Sequence, residues 1–531
     1  METIFKVNGK PFFPIGGQTR NSSAYSPQET EAFWKALDFL GGNAAEIPVY
    51  WDMIEPEEGK FDFTIIDDLI KSAHERNKRL IILWFATWKN GMMKYAPLWV
   101  KENTERFKRV IAHDGASLFV LSTHCSENLR ADSRAFRAVM QHIHEVDDRE
   151  RTVIAMQVEN EPGTIGKSYR DHGPEAEKEY LAAVPPFLIE QIRKKGSGPE
   201  YDIWKQNGSK LTGNWPEVFG RESSEFLSAY SLAKFVDKVA EEGKKAHDIP
   251  MYVNVWLDRQ DWELPGISYP SGAPEEKVLD IWKWTAKNID IIAPDIYKYH
   301  PNSYRRYCEV YNREDNALFI PESSCAELPE SAPNASNMFY AIGKYDAIGY
   351  FAFGLEHILL EDGTVNPASK AFVGSVRALT SALPLIMKYR GTGKMIPIVQ
   401  EEYMHEQQLL DMEEYDGLVM FDTFYYVDYH HRSFQSDPQA EKEKGRGLII
   451  QTAKNEFYVL GAGFILLLRE KHSDIDYSEI KRNDIIYNNR IEEGHFDDDG
   501  NFHCDRIRNG DESDGIWVFP DNGVIRVVMG K

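Results

Sequence analysis

Val153-Ile154-Ala155-Met156-Gln157-Val158-Glu159-Asn160-Glu161-Pro162-Gly163 is the stretch whose reading decides the fold. A short, mostly apolar run ends in two glutamates and an asparagine, and a Pro-Gly turn follows. An apolar run without alternation is how a strand buried on both faces reads. A carboxylate at the tip of such a strand is costly to desolvate, so it usually has a task. Working outward, seven further segments have the same short, apolar form: residues 14–17, 44–49, 79–85, 251–255, 289–293, 318–320 and 347–352. Between them lie amphipathic stretches such as 27–40, 63–76, 133–146 and 224–247, which read as helices. Ser26, with Glu29 three residues on, supplies a capping-box pattern for the first.

Eight strands alternating with helices predict a (β/α)₈ TIM barrel over residues 1–385. The longest excursion, about 162–250, follows the fourth strand. It is expected to stand over the C-terminal face of the barrel as a lid or wall, and its Gly/Pro/Ser/Trp-rich part, 196–215, reads as loop rather than core. Beyond about residue 388 the pattern becomes short and β-rich, with runs at 417–421, 447–452, 456–460 and 515–519. The pair 447–452 and 456–460, joined by Ala453-Lys454-Asn455, reads as a hairpin. Residues 386–531 are therefore expected to form an all-β, sandwich-like domain, with the charged stretch 437–446 as a solvated loop.

Bulk properties bound the function. The chain has 531 residues, 42% of them hydrophobic, enough for two domains with a large core. Its formal net charge is -23, which argues against nucleic acid or an anionic membrane as partner. The four cysteines, Cys125, Cys308, Cys325 and Cys504, form neither a disulfide framework nor a close metal-binding pair. No His-Glu-x-x-His and no Gly-x-Ser-x-Gly is present. Gly163-Thr164-Ile165-Gly166-Lys167-Ser168 lacks the first glycine of a phosphate loop, so neither a metal nor a nucleotide cofactor is implied. The N-terminus lacks the apolar core of a signal peptide, and no run approaches the about 18 apolar residues of a membrane span. The expected location is cytoplasmic, and the expected partner a small carbohydrate or glycoside.

The chemistry rests on two glutamates. Glu322 in Phe319-Ile320-Pro321-Glu322-Ser323 closes the seventh strand segment, as Glu161 closes the fourth. The tips of strands four and seven face each other across a barrel mouth, so two carboxyls could flank one sugar. A spacing of roughly 5–5.5 Å makes a retaining glycosidase, and a wider gap admits a water and inverts. Glu159 and Glu161 share strand parity, so both are expected to point into the mouth, and a neighbouring negative charge would help keep the acid protonated. Asn160 could offer its amide to the sugar 2-hydroxyl, and Tyr297, at the end of the sixth segment, could hydrogen-bond the nucleophilic carboxylate. Trp51, Trp84, Trp88, Trp256, Phe351 and Phe353 stand at or just after strand ends; each is a candidate sugar platform or ordinary packing. Gln18 at the end of strand one completes the candidate binding set.

These residues resemble the clan A retaining glycoside hydrolases, through Asn160-Glu161-Pro162 and Glu322. Residues 47–63, Ile-Pro-Val-Tyr-Trp-Asp-Met-Ile-Glu-Pro-Glu-Glu-Gly-Lys-Phe-Asp-Phe, are similar to the strand-two region of β-galactosidases of families 35 and 42. Leu83-Trp84-Phe85-Ala86-Thr87-Trp88-Lys89-Asn90-Gly91 resembles a bacterial branch of family 35 whose barrel precedes a β-rich domain, and Gly445-Arg446-Gly447-Leu448-Ile449-Ile450-Gln451 is similar to part of that domain. The resemblance implies Glu161 as acid/base, Glu322 as nucleophile, Asn160 at the 2-hydroxyl and Tyr297 steadying Glu322. The chain departs from the pattern at Phe351 and Phe353, where many clan members carry tryptophan, and at Gln18 and Arg20 on strand one. The expectation is a retaining exo-β-glycosidase, a β-galactosidase first of all. An endo-acting β-glycanase or β-glucosidase of the same clan and a non-catalytic glycan-binding barrel are the alternatives. The tail could bind carbohydrate, pack on the barrel or join copies of the chain in a homo-oligomer.

Overall fold

The computed structural model describes residues 4–257, 264–298, 300–326, 334–401, 407–421, 444–471, 488–497, 499–513, 515–519 and 523–530. Seven parallel strands form the barrel wall: β1 (Ile15–Gln18), β2 (Ala44–Tyr50), β3 (Arg79–Lys89), β4 (Val153–Asn160), β5 (Met251–Trp256), β6 (Ile291–Asp295) and β7 (Tyr350–Phe353). Their order, β6-β5-β4-β3-β2-β1-β7, is sequential apart from the closure by β7. Residues 318–324 fill the remaining gap without becoming a regular strand. On one side Leu318 O, Ile320 O and Ser323 O accept the N–H groups of Ile348, Phe351 and Phe353. On the other, the Ile296 N–H donates to Glu322 O, and the Asn316 side chain bonds both the N–H and the carbonyl of Ile292. Pro321 and Pro294 have no N–H to give, so a regular ladder cannot form there and a side-chain amide takes its place.

Each strand or closing segment is followed by a helix: α1 (Pro27–Leu40), α2 (Thr64–Glu75), α3 (Ser126–Asp147), α4 (Ser223–Ala246), α5 (Leu279–Thr285), α6 (Pro301–Tyr311), α7 (Asn334–Gly343) and α8 (Lys370–Thr380). Ser26 accepts the Glu29 N–H and caps α1. α3 starts seven residues before the expected 133. Its first two turns bury Asn128 and Asp132, whose side chains bond Lys108 O, Ser122 O and Trp84, and this hides the apolar period. No single helix among the described residues is long and apolar enough to cross a membrane.

The stretch after β4 carries four short helices, Pro174–Tyr180, Pro186–Lys195, Pro199–Gln206 and Trp215–Phe219, before α4 begins. They pack at the rim against α4, α5 and the turn leading into α5. The expectation of loop at 196–215 is corrected: Trp204 and Trp215 are buried in this layer. The glycines and prolines are helix punctuation, since Gly198 precedes Pro199 and Asn214 forms a capping box with Glu217 ahead of Pro216. Glu200, in the same layer, accepts the Asp280 N–H and is pushed up to about 8 by burial first and then by the Asp280 charge. For an acid whose folded-state pKa is raised, the folded chain keeps a proton that the unfolded chain has released. Stability therefore falls as pH rises from about 4.5 to about 8. Glu200→Gln is expected to be more stable than the parent chain at pH 8, with the gap closing toward pH 4.5. Urea midpoints across that range check this.

The tail is two antiparallel sheets. The larger contains β8 (Met395–Val399), β11 (Arg446–Ala453), β12 (Glu456–Ala462), β14 (Asn488–Phe496), β15 (Phe502–Arg508) and β17 (Val524–Met529), in the order β8-β11-β12-β17-β14-β15. The smaller contains β9 (Gln407–Asp411), β10 (Tyr415–Met420), β13 (Phe464–Glu470) and β16 (Ile516–Val518), in the order β9-β10-β13-β16. β11 and β12 form the expected hairpin, with Leu448 opposite Leu460. The two sheets enclose one core around Val419, Ile449, Val459 and Leu466. The outer face of the larger sheet belongs to the barrel's own core through Leu448, Ile450 and Leu460. α7 approaches so closely that a Cβ on Gly343 would lie 2.5 Å from Leu448 Cδ1. The expected solvated loop at 437–446 is corrected at its end, while residues 437–443 lie outside the described residues. Arg446 is buried, and each nitrogen of its guanidinium has an acceptor there: Ser375 Oγ and the Ala371 and Lys444 carbonyls.

Candidate active site

The tip of β4 departs from strand geometry. Glu159 (φ 64°) and Glu161 (φ 47°) both sit in the left-handed region, a strained conformation for non-glycine residues that collects at functional sites. The departure breaks the parity expected for the pair. Glu159 does not point into the mouth: its carboxylate accepts the Trp88 N–H at 2.8 Å and meets Asp132 of α3, in the layer between strands and helices. Glu161 points into the barrel. Its N–H donates to Asn254 Oδ1 at 2.7 Å, its carbonyl accepts the Gly91 N–H, and its carboxylate accepts the Asn90 amide. It is 5% exposed.

Glu322 faces it and is 4% exposed. Its Oε2 accepts the Tyr297 hydroxyl at 3.0 Å, and its Oε1 accepts the amides of Asn160 and Asn254 at 3.4 Å each. A third carboxylate, Asp295 at the end of β6, accepts Asn254 Nδ2 at 2.8 Å. One oxygen from each of Glu161, Asp295 and Glu322 lies within 4.8 Å of the others. Lys89 at the end of β3 is buried beside them, with Nζ 4.6 Å from the Phe85 ring centroid and 6.0 Å from that of Phe353.

These surroundings separate the two glutamates. Burial first, then the Glu322 charge, pushes Glu161 up to about 7 against the opposing pull of Lys89. Glu322 instead collects three donors, from Tyr297, Asn160 and Asn254. Beneath them Glu46 is fully buried and accepts the Tyr252 hydroxyl; burial drives it well above the ordinary carboxylate range.

The structure brings Asn160, Glu161, Tyr297 and Glu322 together. Three of the candidate platforms lie elsewhere. Trp51 donates to Glu55 and packs edge-on against Trp99. Trp84 donates to Asp132 beside Phe136 of α3, and Trp88 packs on Phe235 of α4. All three are fully buried in packing layers with no face for a sugar. Phe351 is likewise core, against Phe319. Trp256 and Phe353 are half-buried at the ends of β5 and β7. Gln18, beside Phe353 in register, is fully buried with neither amide atom bonded among the described residues.

Sequence reading missed Asn254, Asp295, Lys89 and Asn90. The available signal was a polar residue within or ending an apolar strand, as in Tyr252-Val253-Asn254-Val255, where desolvation is tolerated only with a partner. Away from the mouth, His144, Asp148 and His247 bring one donor atom each within 4.8 Å at the ends of α3 and α4, a composition able to hold a transition metal. At the mouth itself Lys89 already supplies the positive charge.

Residues 36–191 match a glycoside hydrolase family 42 model described as beta-galactosidase, and residues 375–519 match a domain of unknown function, DUF5597. No curated protein matches the chain. Among solved structures, the β-galactosidase from the psychrophilic Marinomonas ef1 shares 10% identity over 71% of this chain and 62% of its own, with a TM-score of 0.50. The β-galactosidase from Bacillus circulans sp. alkalophilus shares 14% over 71% and 57%, at 0.49, and a β-amylase catalytic domain from Paenibacillus polymyxa 12% over 68% and 97%, at 0.48. The chain thus spans about three fifths of the length of the two β-galactosidases. The fold is that of a TIM barrel, and residues 36–191 within it are similar to the β-galactosidases of glycoside hydrolase family 42.

Proposed function

We propose that the protein is a retaining exo-β-glycosidase acting on a terminal β-linked sugar, galactose first of all. The observation that carries this reading is that carboxylate oxygens of Glu161 and Glu322 lie within 4.8 Å of each other, in contrasting surroundings. A gap this narrow leaves no room for the water that an inverting enzyme places between acid and base. Glu322 attacks the anomeric carbon while the bond from that carbon to the leaving oxygen breaks and the Glu161 proton passes to that oxygen. A water then gives a proton to the Glu161 carboxylate, its oxygen takes the anomeric carbon, and the ester to Glu322 breaks. Asn160 and Tyr297 hold the nucleophile, and Asn160 Oδ1, buried without a partner among the described residues, stands ready for a sugar hydroxyl. Exo action is supported by the burial of both carboxylates, nearly out of solvent. Galactose is supported by the β-galactosidase family match.

Because Glu161 must hold a proton in the first step, kcat/KM is expected to fall as pH rises through about 7. A panel of nitrophenyl β-glycosides read across pH, with proton NMR of the first-formed sugar, tests the reading. The β-anomer is expected first; initial release of the α-anomer, or no hydrolysis of any β-glycoside, overturns it.

A further inference from the structure

The two oxygens of Asp295 have different surroundings. Oδ2 accepts the Asn254 amide, whereas Oδ1 is buried and receives no N–H or O–H from any described residue. The carboxyl's other close neighbours are acceptors: one oxygen of Asp295, one of Glu161 and one of Glu322 lie within 4.8 Å of one another. Two buried carboxyls brought together share a hydrogen bond only when one of them holds a proton. A buried oxygen left without a partner is destabilising, and an O–H at that position removes both the orphan and the repulsion.

We propose that Asp295 is a positioning residue that remains a neutral carboxylic acid through the catalytic cycle and donates its O–H to the Glu161 carboxyl. The inference rests on the acid/base role of Glu161 given above. Charge balance supports it. Among the described residues, the groups facing the cluster are Lys89 from β3, Glu161 from β4, Glu322 from the closing segment, and three phenols that burial keeps neutral: Tyr252 on β5, Tyr297 after β6 and Tyr311 on α6. Glu46 on β2, also nearby, is driven toward its neutral form. With Asp295 neutral, the resting site holds one carboxylate, Glu322, against one ammonium, Lys89. After the first step the Glu322 charge is consumed in the ester and Glu161 carries the single negative charge, again against Lys89. An ionised Asp295 would add an uncompensated charge to both states in a buried site. Burial, helped by the Glu322 and Glu161 charges, moves Asp295 well above the ordinary carboxylate range, in the same direction. As the Glu161 proton leaves, the Asp295 hydrogen bond becomes charge-assisted and stabilises the new carboxylate, while the Asp295 proton stays on Asp295.

Asp295→Asn keeps the shape, the neutrality and a donor. Its kcat/KM is expected to fall less than that of Asp295→Ala, with the basic limb of the pH profile unmoved. Asp295→Ala is expected to lose about 10- to 100-fold on substrates with poor leaving groups. Above pH 8, the infrared difference between the parent and Asp295→Asn is expected to show the carbonyl stretch of a protonated acid. Asp295→Ala serves as the reference if the asparagine variant does not fold. A basic limb displaced downward by more than about one pH unit in Asp295→Asn, as loss of a negative charge beside Glu161 would cause, overturns the proposal. Absence of the acid band overturns it as well. The infrared measurement uses no substrate, so a chain that cleaves no glycoside would sink the glycosidase reading and leave the state of Asp295 separately decided.

Discussion

Glu322→Ala is expected to lower kcat on an aryl β-glycoside by on the order of 10⁴- to 10⁶-fold, the scale seen when a covalent nucleophile is removed. The argument is geometric. Glu322 is the acceptor on which Tyr297, Asn160 and Asn254 converge, and its oxygen is the one held for attack. Alanine leaves these donors in place and opens a space the size of a small anion. Azide is therefore expected to restore turnover and to yield the α-glycosyl azide, because it would attack from the face that the carboxylate vacated. Loss of the Glu322 charge also removes a repulsion from the Glu161 carboxylate, so the variant is expected to fold at least as stably as the parent chain at pH 8. Unchanged turnover would remove the nucleophile assignment.

Glu161→Ala is expected to divide substrates by leaving group. Alkyl glycosides need the proton and are expected to lose about 10²- to 10⁴-fold in kcat/KM. Dinitrophenyl glycosides leave without it and are expected to keep most of their kcat/KM. Their kcat falls, because water attack on the ester loses its base, so a burst of phenolate is expected before a slow steady state. The limb of the pH profile near 7 disappears with the group responsible for it. Equal losses on both substrate types would count against the acid role.

The barrel was legible because its strands are buried on both faces and read as unbroken apolar runs between amphipathic helices. The same property hid the direction of each side chain. In β3 nearly every position is apolar, so no alternation shows which residues face the barrel interior. Trp84 and Trp88 could therefore be placed at a strand end but not on a side, and they turn toward α3 and α4. Glu159 failed for a related reason. Parity presumes extended backbone, and two left-handed residues at the tip of β4 abolish it. Asn254 and Asp295 each present a single polar residue in an apolar strand. Their importance comes from contacts between three different strands and the closing segment, which no local pattern records.

Local chemistry determined that there would be buried strands, where they would end, and that carboxylates would stand at two of those ends. These follow from hydrophobic runs, prolines and turn residues acting over a few positions. Only the closed barrel decided that oxygens of Glu161, Asp295 and Glu322 crowd within 4.8 Å of one another, with Asn254 and Lys89 beside them. Electrostatic environment is a sum over neighbours distant in the chain, and it exists only once the ring of strands has shut out water.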